Sequence, residues 1–162
     1  LMALDLPLPR RLLTHAHWTL SGKKMSKSVG NGVSPAYATN RFGVDTVRYV
    51  LMRRGAIRDD AVWDNDTVAT VYRTELMGKY GNLMSRTMKT KRWSVVGSVE
   101  SEAEAVAEGK VQDPCPLGLD TLRDEVAEQM DALRPDKALA LIMDTFDKVC
   151  NHFVLLSKST AS

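Results

Sequence analysis

Three stretches of this chain repeat apolar residues at helical spacing, and prolines stand between them. The first runs Val68, Val71, Tyr72, Leu76, Tyr80, Leu83, Met84 and Thr87; the second Leu119, Leu122, Val126, Met130 and Leu133. The third runs Leu139, Ile142, Phe146, Val149 and Phe153, widened by Ala138, Leu141, Cys150 and Val154. Recurrence at three and four residues puts each set on one face of a helix. Helices with one broad apolar face each bury those faces against one another, so the chain is expected to be mainly α, with a helical bundle. The aromatics and methionines on these stripes read as core.

Punctuation residues set the expected boundaries. Asp66 or Thr67 caps the first long helix, which reaches about Lys91. Gly78 and Gly81 lie inside it at a cost of roughly 1 kcal/mol each relative to alanine, tolerable where a neighbouring helix packs closely. Glu100, Glu102, Glu104 and Glu108 make the next stretch acidic, and Pro114 and Pro116 end any helix there, so it reads as a connector with a short helix over 101–108. Asp120 or Thr121 caps the second helix, Arg134-Pro135 stops it, and Asp136 caps the third.

Ahead of the bundle the pattern is different. Leu12-Leu13-Thr14 and Trp18-Thr19-Leu20 are β-prone, and Ser21-Gly22 signals a turn. Lys24-Met25-Ser26-Lys27-Ser28 follows, with Asn31-Gly32 as another turn. Ser34-Pro35 is a helix start, an N-cap followed by proline at the first position, for a helix to about Arg41 with Gly43 as a left-handed cap. A second helix begins near Asp45, with Val44, Val47, Val50 and Leu51 inward and Arg48, Arg53 and Arg54 outward.

Composition narrows the classes. The 162 residues carry a net charge of +2, so any nucleic-acid contact must come from a local patch. Cys115 and Cys150 are too few for a disulfide framework or a zinc site and read as reduced structural thiols. No apolar run approaches the ~20 residues of a membrane span. The opening Leu1–Pro9 is apolar, but Arg10-Arg11 follows it where a signal peptide has its charge first, so it reads as the interior of a longer protein.

The Lys24–Ser28 stretch alternates ammonium and hydroxyl groups between glycines, a pattern suited to a polyphosphate as well as to a plain solvated loop. His15 and His17 would share one strand face; with no third ligand in view, packing or substrate contact fits them better than a metal. Lys79, Arg86, Lys89, Lys91 and Arg92, beside Trp93, crowd the end of the first long helix. Cations there oppose the helix dipole, and the alternative is a phosphate-facing patch.

From His15 to about Thr87 the chain resembles the methionyl-tRNA synthetases, a class I aminoacyl-tRNA synthetase family. The resemblance rests on His15-Ala16-His17-Trp18, Gly22, Lys24–Ser28, Val29-Gly30-Asn31, Pro35, Phe42-Gly43-Val44-Asp45, Val47–Leu51, Tyr72 and Gly81–Thr87. The pentamer alone marks the class; the Gly-Val-Asp-x-x-Arg-Tyr and Gly-Asn-Leu-x-Ser-Arg strings narrow it to the methionine enzyme. The resemblance implies ATP-dependent ligation of methionine to tRNA(Met) through methionyl-adenylate, with ATP and Mg²⁺ as substrate and no zinc in this segment. It implies that Lys24 and Lys27 are catalytic, that Met25, Ser26, Ser28 and His17 join them around ATP, and that Arg86, Thr87 and Asn151 face tRNA. It implies the end of a Rossmann-type catalytic domain with stem-contact helices over 1–65 and an anticodon-binding bundle over 66–162. The family's nucleotide-binding sheet and methionine pocket would lie upstream of Leu1, so the 162 residues alone are expected not to aminoacylate.

Two departures stand out. Ala16 replaces a frequent glycine, and the tryptophan that usually follows the Val149–Phe153 region is absent, so the anticodon site is expected to be altered or truncated. A non-catalytic RNA-binding module descended from a synthetase is the competing reading. The pattern is similar to bacterial and organellar members, which favours the mitochondrial matrix over the cytoplasm.

Overall fold

The computed structural model of the chain describes residues 2–55, 57–89, 94, 96, 97, 100, 103, 104, 107–109 and 117–159. After a single 3-10 turn at Met2–Leu4, strand β1 (Trp18–Leu20) turns back into β2 (Lys23–Lys24). Helices α1 (Pro35–Phe42) and α2 (Val44–Arg54) lead to β3 (Ala61–Val62). A long helical rod follows: α3 (Asn65–Val71), a π-helical segment (Tyr72–Gly81) and α4 (Asn82–Met88). Two further helices, α5 (Leu119–Asp131) and α6 (Pro135–Ser159), form an antiparallel hairpin, and the fold is mainly α. The expected connector helix over 101–108 falls largely outside the described residues.

The small sheet has the order β2-β1-β3. β1 and β2 are antiparallel, but β1 and β3 are parallel, with Trp18 opposite Ala61 and Thr19 opposite Val62. Parallel neighbours need a crossover, which α1 and α2 supply. The β-prone Leu12-Leu13-Thr14 lies in no strand; those residues are exposed ahead of β1.

One apolar cluster joins these pieces. Ala38 from α1, Val47 and Val50 from α2, Trp63 after β3, and Val68 and Val71 from α3 are buried together. Trp18, Leu20, Met25 and Val33 pack against them. Gly55 closes α2 under the Trp18 ring, where an added Cβ would sit 2.8 Å from a ring carbon and nearer still to the Leu51 carbonyl.

Ser34 caps α1 as expected, its Oγ accepting from the Tyr37 N–H at 3.5 Å. Gly43 has the expected positive φ of 82°, but its ψ of 151° lies in the extended mirror region that is nearly exclusive to glycine, not in the left-handed helical one. Four boundary expectations change. Asp64, not Asp66 or Thr67, caps α3: it is extended, and its Oδ2 accepts from the Thr67 N–H at 2.9 Å. That bond, with a second from the Thr67 hydroxyl at 3.0 Å, holds the Asp64 carboxyl below its usual range. Gly118, at φ 64°, precedes α5 in place of Asp120 or Thr121.

α5 stops before the proline can act on it. The Arg134 N–H donates to the Gln129 carbonyl at 2.8 Å and the Leu133 N–H to Met130 at 3.0 Å, with Leu133 at φ 58°. This is a Schellman-type end with leucine where glycine is usual. Asp136 then sits inside the first turn of α6 instead of capping it, and Arg134 donates to both its oxygens at 3.1 Å. That pairing holds the Asp136 carboxyl down.

The largest departure is the π winding. Each residue of a π turn advances the helix less than an α residue, so ten of them rotate the later stripe away from its α-helical face. Val68 and Val71 are buried, whereas Tyr72, Tyr80 and Met84 are exposed. Gly78 and Gly81 are crowded by their own segment, not by a neighbouring helix: a Cβ would lie 3.0 Å from the Arg73 carbonyl and 3.3 Å from that of Leu76, each five residues back.

Charged groups fill part of the junction between the rod, α2 and α6. Glu75 is buried, accepts from Tyr49 Oη, and takes Arg53 Nε at 3.0 Å. Arg53 Nη1 reaches the Asp136 carbonyl at 3.4 Å. Arg53 therefore faces inward, against the expectation that it lies on an exposed basic face. Burial first, and the Glu75 carboxylate second, push the Tyr49 phenol well above its usual range.

Candidate functional site

Ser21 and Gly22 both have positive φ, 50° and 75°, which defines a two-residue I′ hairpin turn. It is the turn that the sequence signals, and it pairs Leu20 with Lys23 and delivers the lysine loop from a strand. The loop is then tied down at its start. The Met25 N–H donates to the Trp18 carbonyl at 3.1 Å, and the Met25 side chain rests on the apolar cluster. Met25 therefore anchors the loop through both its backbone N–H and its side chain.

Beyond Met25 the chain turns outward. Gly30 N–H donates to the Ser26 carbonyl at 3.2 Å, and the Val29 N–H to Ser26 Oγ at 3.2 Å. Ser26 and Ser28 share a hydroxyl contact at 3.3 Å. Lys24 and Lys27 are exposed, and among the described residues no carboxylate pairs with either. Two free cations and two hydroxyls on one short turn make an anion-receptive surface.

His17 lies just before β1, its N–H donating to Asp60 Oδ1 at 2.7 Å and its Nδ1 3.7 Å from the same oxygen. His15 turns to the Ala16 carbonyl at 2.7 Å and lines a cavity of about 400 Å³ shared with Ile57, Arg58 and Leu133. The two histidines thus have separate surroundings. Among the described residues no group of three or more His, Cys, Asp or Glu is gathered for a metal, and no helix is long and apolar enough to cross a membrane.

The residues expected to face tRNA are on two packed helices. Arg86 and Thr87 are on α4 and Asn151 on α6, which pack together. Arg86 is exposed, with Nε donating to Asn82 Oδ1 at 3.0 Å; Thr87 spends its hydroxyl on the Leu83 carbonyl at 2.9 Å. The basic end of the rod is weaker than its composition suggests. Lys79 is neutralised by Asp147 at 2.7 Å and Asp144 at 3.1 Å, which hold its ammonium above its usual range. Lys91, Arg92 and Trp93 lie outside the described residues, as does Cys115. Cys150 is buried, and burial pushes its thiol up.

In the sequence Asn31 reads only as a turn residue and as part of the resemblance, and Asp60 carries no role. Both act through backbone groups that only the folded loop and sheet bring near them.

A lysine–hydroxyl loop hung from a strand, with a crossover behind it and a helical hairpin beyond, agrees with a class I synthetase. A family model described as tRNA synthetases class I (M) matches residues 1–88, and the chain belongs to that family. A probable mitochondrial methionine–tRNA ligase from Neurospora crassa is 41% identical over 151 residues, 88% of this chain and 24% of the relative. A methionine–tRNA ligase from Caldanaerobacter subterraneus subsp. tengcongensis is 37% identical over 141 residues, 86% of this chain and 21% of the relative. Methionyl-tRNA synthetase from Mycobacterium tuberculosis, solved with methionyl-adenylate, superposes with a TM-score of 0.69 at 26% identity, covering 95% of this chain and 30% of that one. The chain thus spans about a quarter or less of the curated relatives it matches.

Proposed function

We propose that this chain is the part of a methionine–tRNA ligase that runs from its ATP-facing loop into its tRNA-binding bundle, in an enzyme that joins methionine to tRNA(Met) through methionyl-adenylate. Residues 1–65 would complete the catalytic domain and 66–162 form the bundle. The observation that carries the reading is the pair of exposed lysines, Lys24 and Lys27, without a carboxylate partner among the described residues, on a loop anchored to the core.

The chemistry asks for that arrangement. A methionine carboxylate oxygen attacks the α-phosphorus of ATP, and the bond to the bridging oxygen breaks, releasing pyrophosphate. The departing phosphates gain charge, so a cation that tightens on them in the transition state accelerates the step. Lys27 is the residue assigned to that contact, with Lys24 assisting. Ser26 and Ser28 supply hydroxyl donors, Met25 anchors the loop beside the triphosphate, and His17 borders the site. Mg²⁺ accompanies ATP as part of the substrate. Arg86, Thr87 and Asn151 are assigned to tRNA, with Arg86 the exposed cation among them. The competing RNA-binding module has less support, because Lys79 is spent on Asp144 and Asp147.

In the full-length enzyme, Lys27→Ala is expected to lower ATP–pyrophosphate exchange about 100-fold, the scale of losing one preorganised transition-state contact. A loss below about 1 kcal/mol of transition-state stabilisation would count against the assignment. The proposal also assigns the mitochondrial matrix. It is supported by mitochondrial relatives in Neurospora crassa, Dictyostelium discoideum and Schizosaccharomyces pombe, although a Rickettsia felis enzyme is also 42% identical over 87 residues. Fractionation of the full-length protein should recover it with matrix markers; recovery in the cytosol would overturn this.

A further inference from the structure

Asn31 closes the lysine loop with both ends of one amide. Its Oδ1 accepts from the Ser26 N–H at 2.9 Å, and its Nδ2 donates to the Lys24 carbonyl at 3.1 Å. The two groups it holds flank Met25, whose own N–H is bound to Trp18. Three consecutive residues are therefore pinned through the backbone, while the Ser26–Gly30 turn carries Lys27 into solvent. Gly30 sits at φ 70°, a conformation that costs glycine little, just before the chain reaches Asn31. Neither amide bond belongs to a helix or strand ladder. The side chain itself is part-buried, so its amide is exchanged from water into the loop.

We infer that Asn31 is a positioning residue for the proposed adenylation step: its amide holds the base of the loop so that Lys27 meets the triphosphate in register. The inference rests on the proposed function and deepens it. A lysine is a point charge on a flexible stem, so its contribution depends on where its backbone stands when charge develops. Fixing the two peptide groups beside Met25 removes freedom that would otherwise be lost in the transition state. The tip remains free to follow the phosphates, because the bonds from Asn31 stop at Ser26.

The test measures ATP–pyrophosphate exchange and melting temperature for the full-length enzyme and four variants: Asn31→Ala, Asn31→Asp, Lys27→Ala and the Asn31→Ala/Lys27→Ala pair. Asn31→Ala should lose about tenfold or more, mostly in kcat, with the melting temperature unchanged. Asn31→Asp keeps an acceptor for Ser26 but turns an oxygen on the Lys24 carbonyl, so it should lose comparably. In the Lys27→Ala background the Asn31→Ala loss should shrink below about threefold, because residues acting through one contact are not additive. A full Asn31→Ala loss in that background would mark a general structural role and overturn the inference. Asn31→Ala within about twofold of wild type, beside a crippled Lys27→Ala, would overturn it and leave the loop assignment standing. A Lys27→Ala loss below about fivefold, the same threshold of about 1 kcal/mol, would instead remove the assignment of Lys27 to the triphosphate on which the inference rests. If Asn31→Ala does not fold, Asn31→Asp supplies the measurement, and failure of both to fold overturns the positioning role.

Discussion

Glu75→Ala is expected to destabilise the protein by about 3–5 kcal/mol, the range for removing one member of a buried ion pair. Glu75 is only 9% exposed, and its Oε2 takes both the Tyr49 hydroxyl and Arg53 Nε. Truncation leaves the Arg53 cation part-buried with only a 3.4 Å contact to the Asp136 carbonyl. It also leaves the Tyr49 hydroxyl without its acceptor. For a chain of this size that loss lowers the melting temperature by roughly 10 °C. Replacing the pair together, as Arg53→Met with Glu75→Leu, should recover most of it, since the cost lies in the orphaned charge more than in the lost attraction. Calorimetry on the three proteins decides the matter; a Glu75→Ala loss under about 1 kcal/mol would show that water enters the junction and solvates Arg53.

That junction also shows where the sequence was legible and where it was not. Local signals read well. Ser21-Gly22 forms the hairpin turn, Ser34-Pro35 starts α1, and Ala138 and Cys150 of the third stripe are buried. Each depends on chemistry within a few residues. Nothing local marks Glu75, because a carboxylate on a helix reads as surface and its partners stand 22 and 26 residues earlier in α2. The π winding was hidden for a related reason: Gly78 and Gly81 advertise weak helix, but not which wider turn replaces it. β3 is two residues long, too short for any periodicity, and exists through its parallel register with β1. Leucine at positive φ in the turn after α5 broke the rule that assigns such ends to glycine. In the candidate site the lysines and hydroxyls were legible by type. The roles of Met25 as anchor and Asn31 as clip were not, because both depend on which backbone groups the folded loop turns toward them.

Trp63→Ala is expected to cost about 3–5 kcal/mol, the range for emptying a large aromatic from a core. Trp63 is 6% exposed and leaves β3 with its N–H on the Thr19 carbonyl at 2.9 Å. Its ring meets Trp18 edge-on at 6.0 Å, a geometry worth about 0.5–1.5 kcal/mol beyond burial. It also adjoins Val68 and Val71 in the cluster that supports Met25 and Val33, the two apolar residues at the ends of the lysine loop. Trp63→Phe keeps most of the volume and should cost less, losing chiefly the Nε1 contact to Asn65 Oδ1 at 3.4 Å. The functional consequence separates this residue from Lys27. Lys27→Ala removes an exposed charge and should leave the melting temperature alone while exchange collapses. Trp63→Ala should lower the melting temperature by roughly 10 °C and loosen the loop through Met25, so that its exchange defect narrows on cooling as the remaining core re-forms. A Trp63→Ala protein that melts normally would mean that Trp18 fills the vacated space, and that the loop is held by its backbone bonds to Trp18 and Asn31 without help from the core.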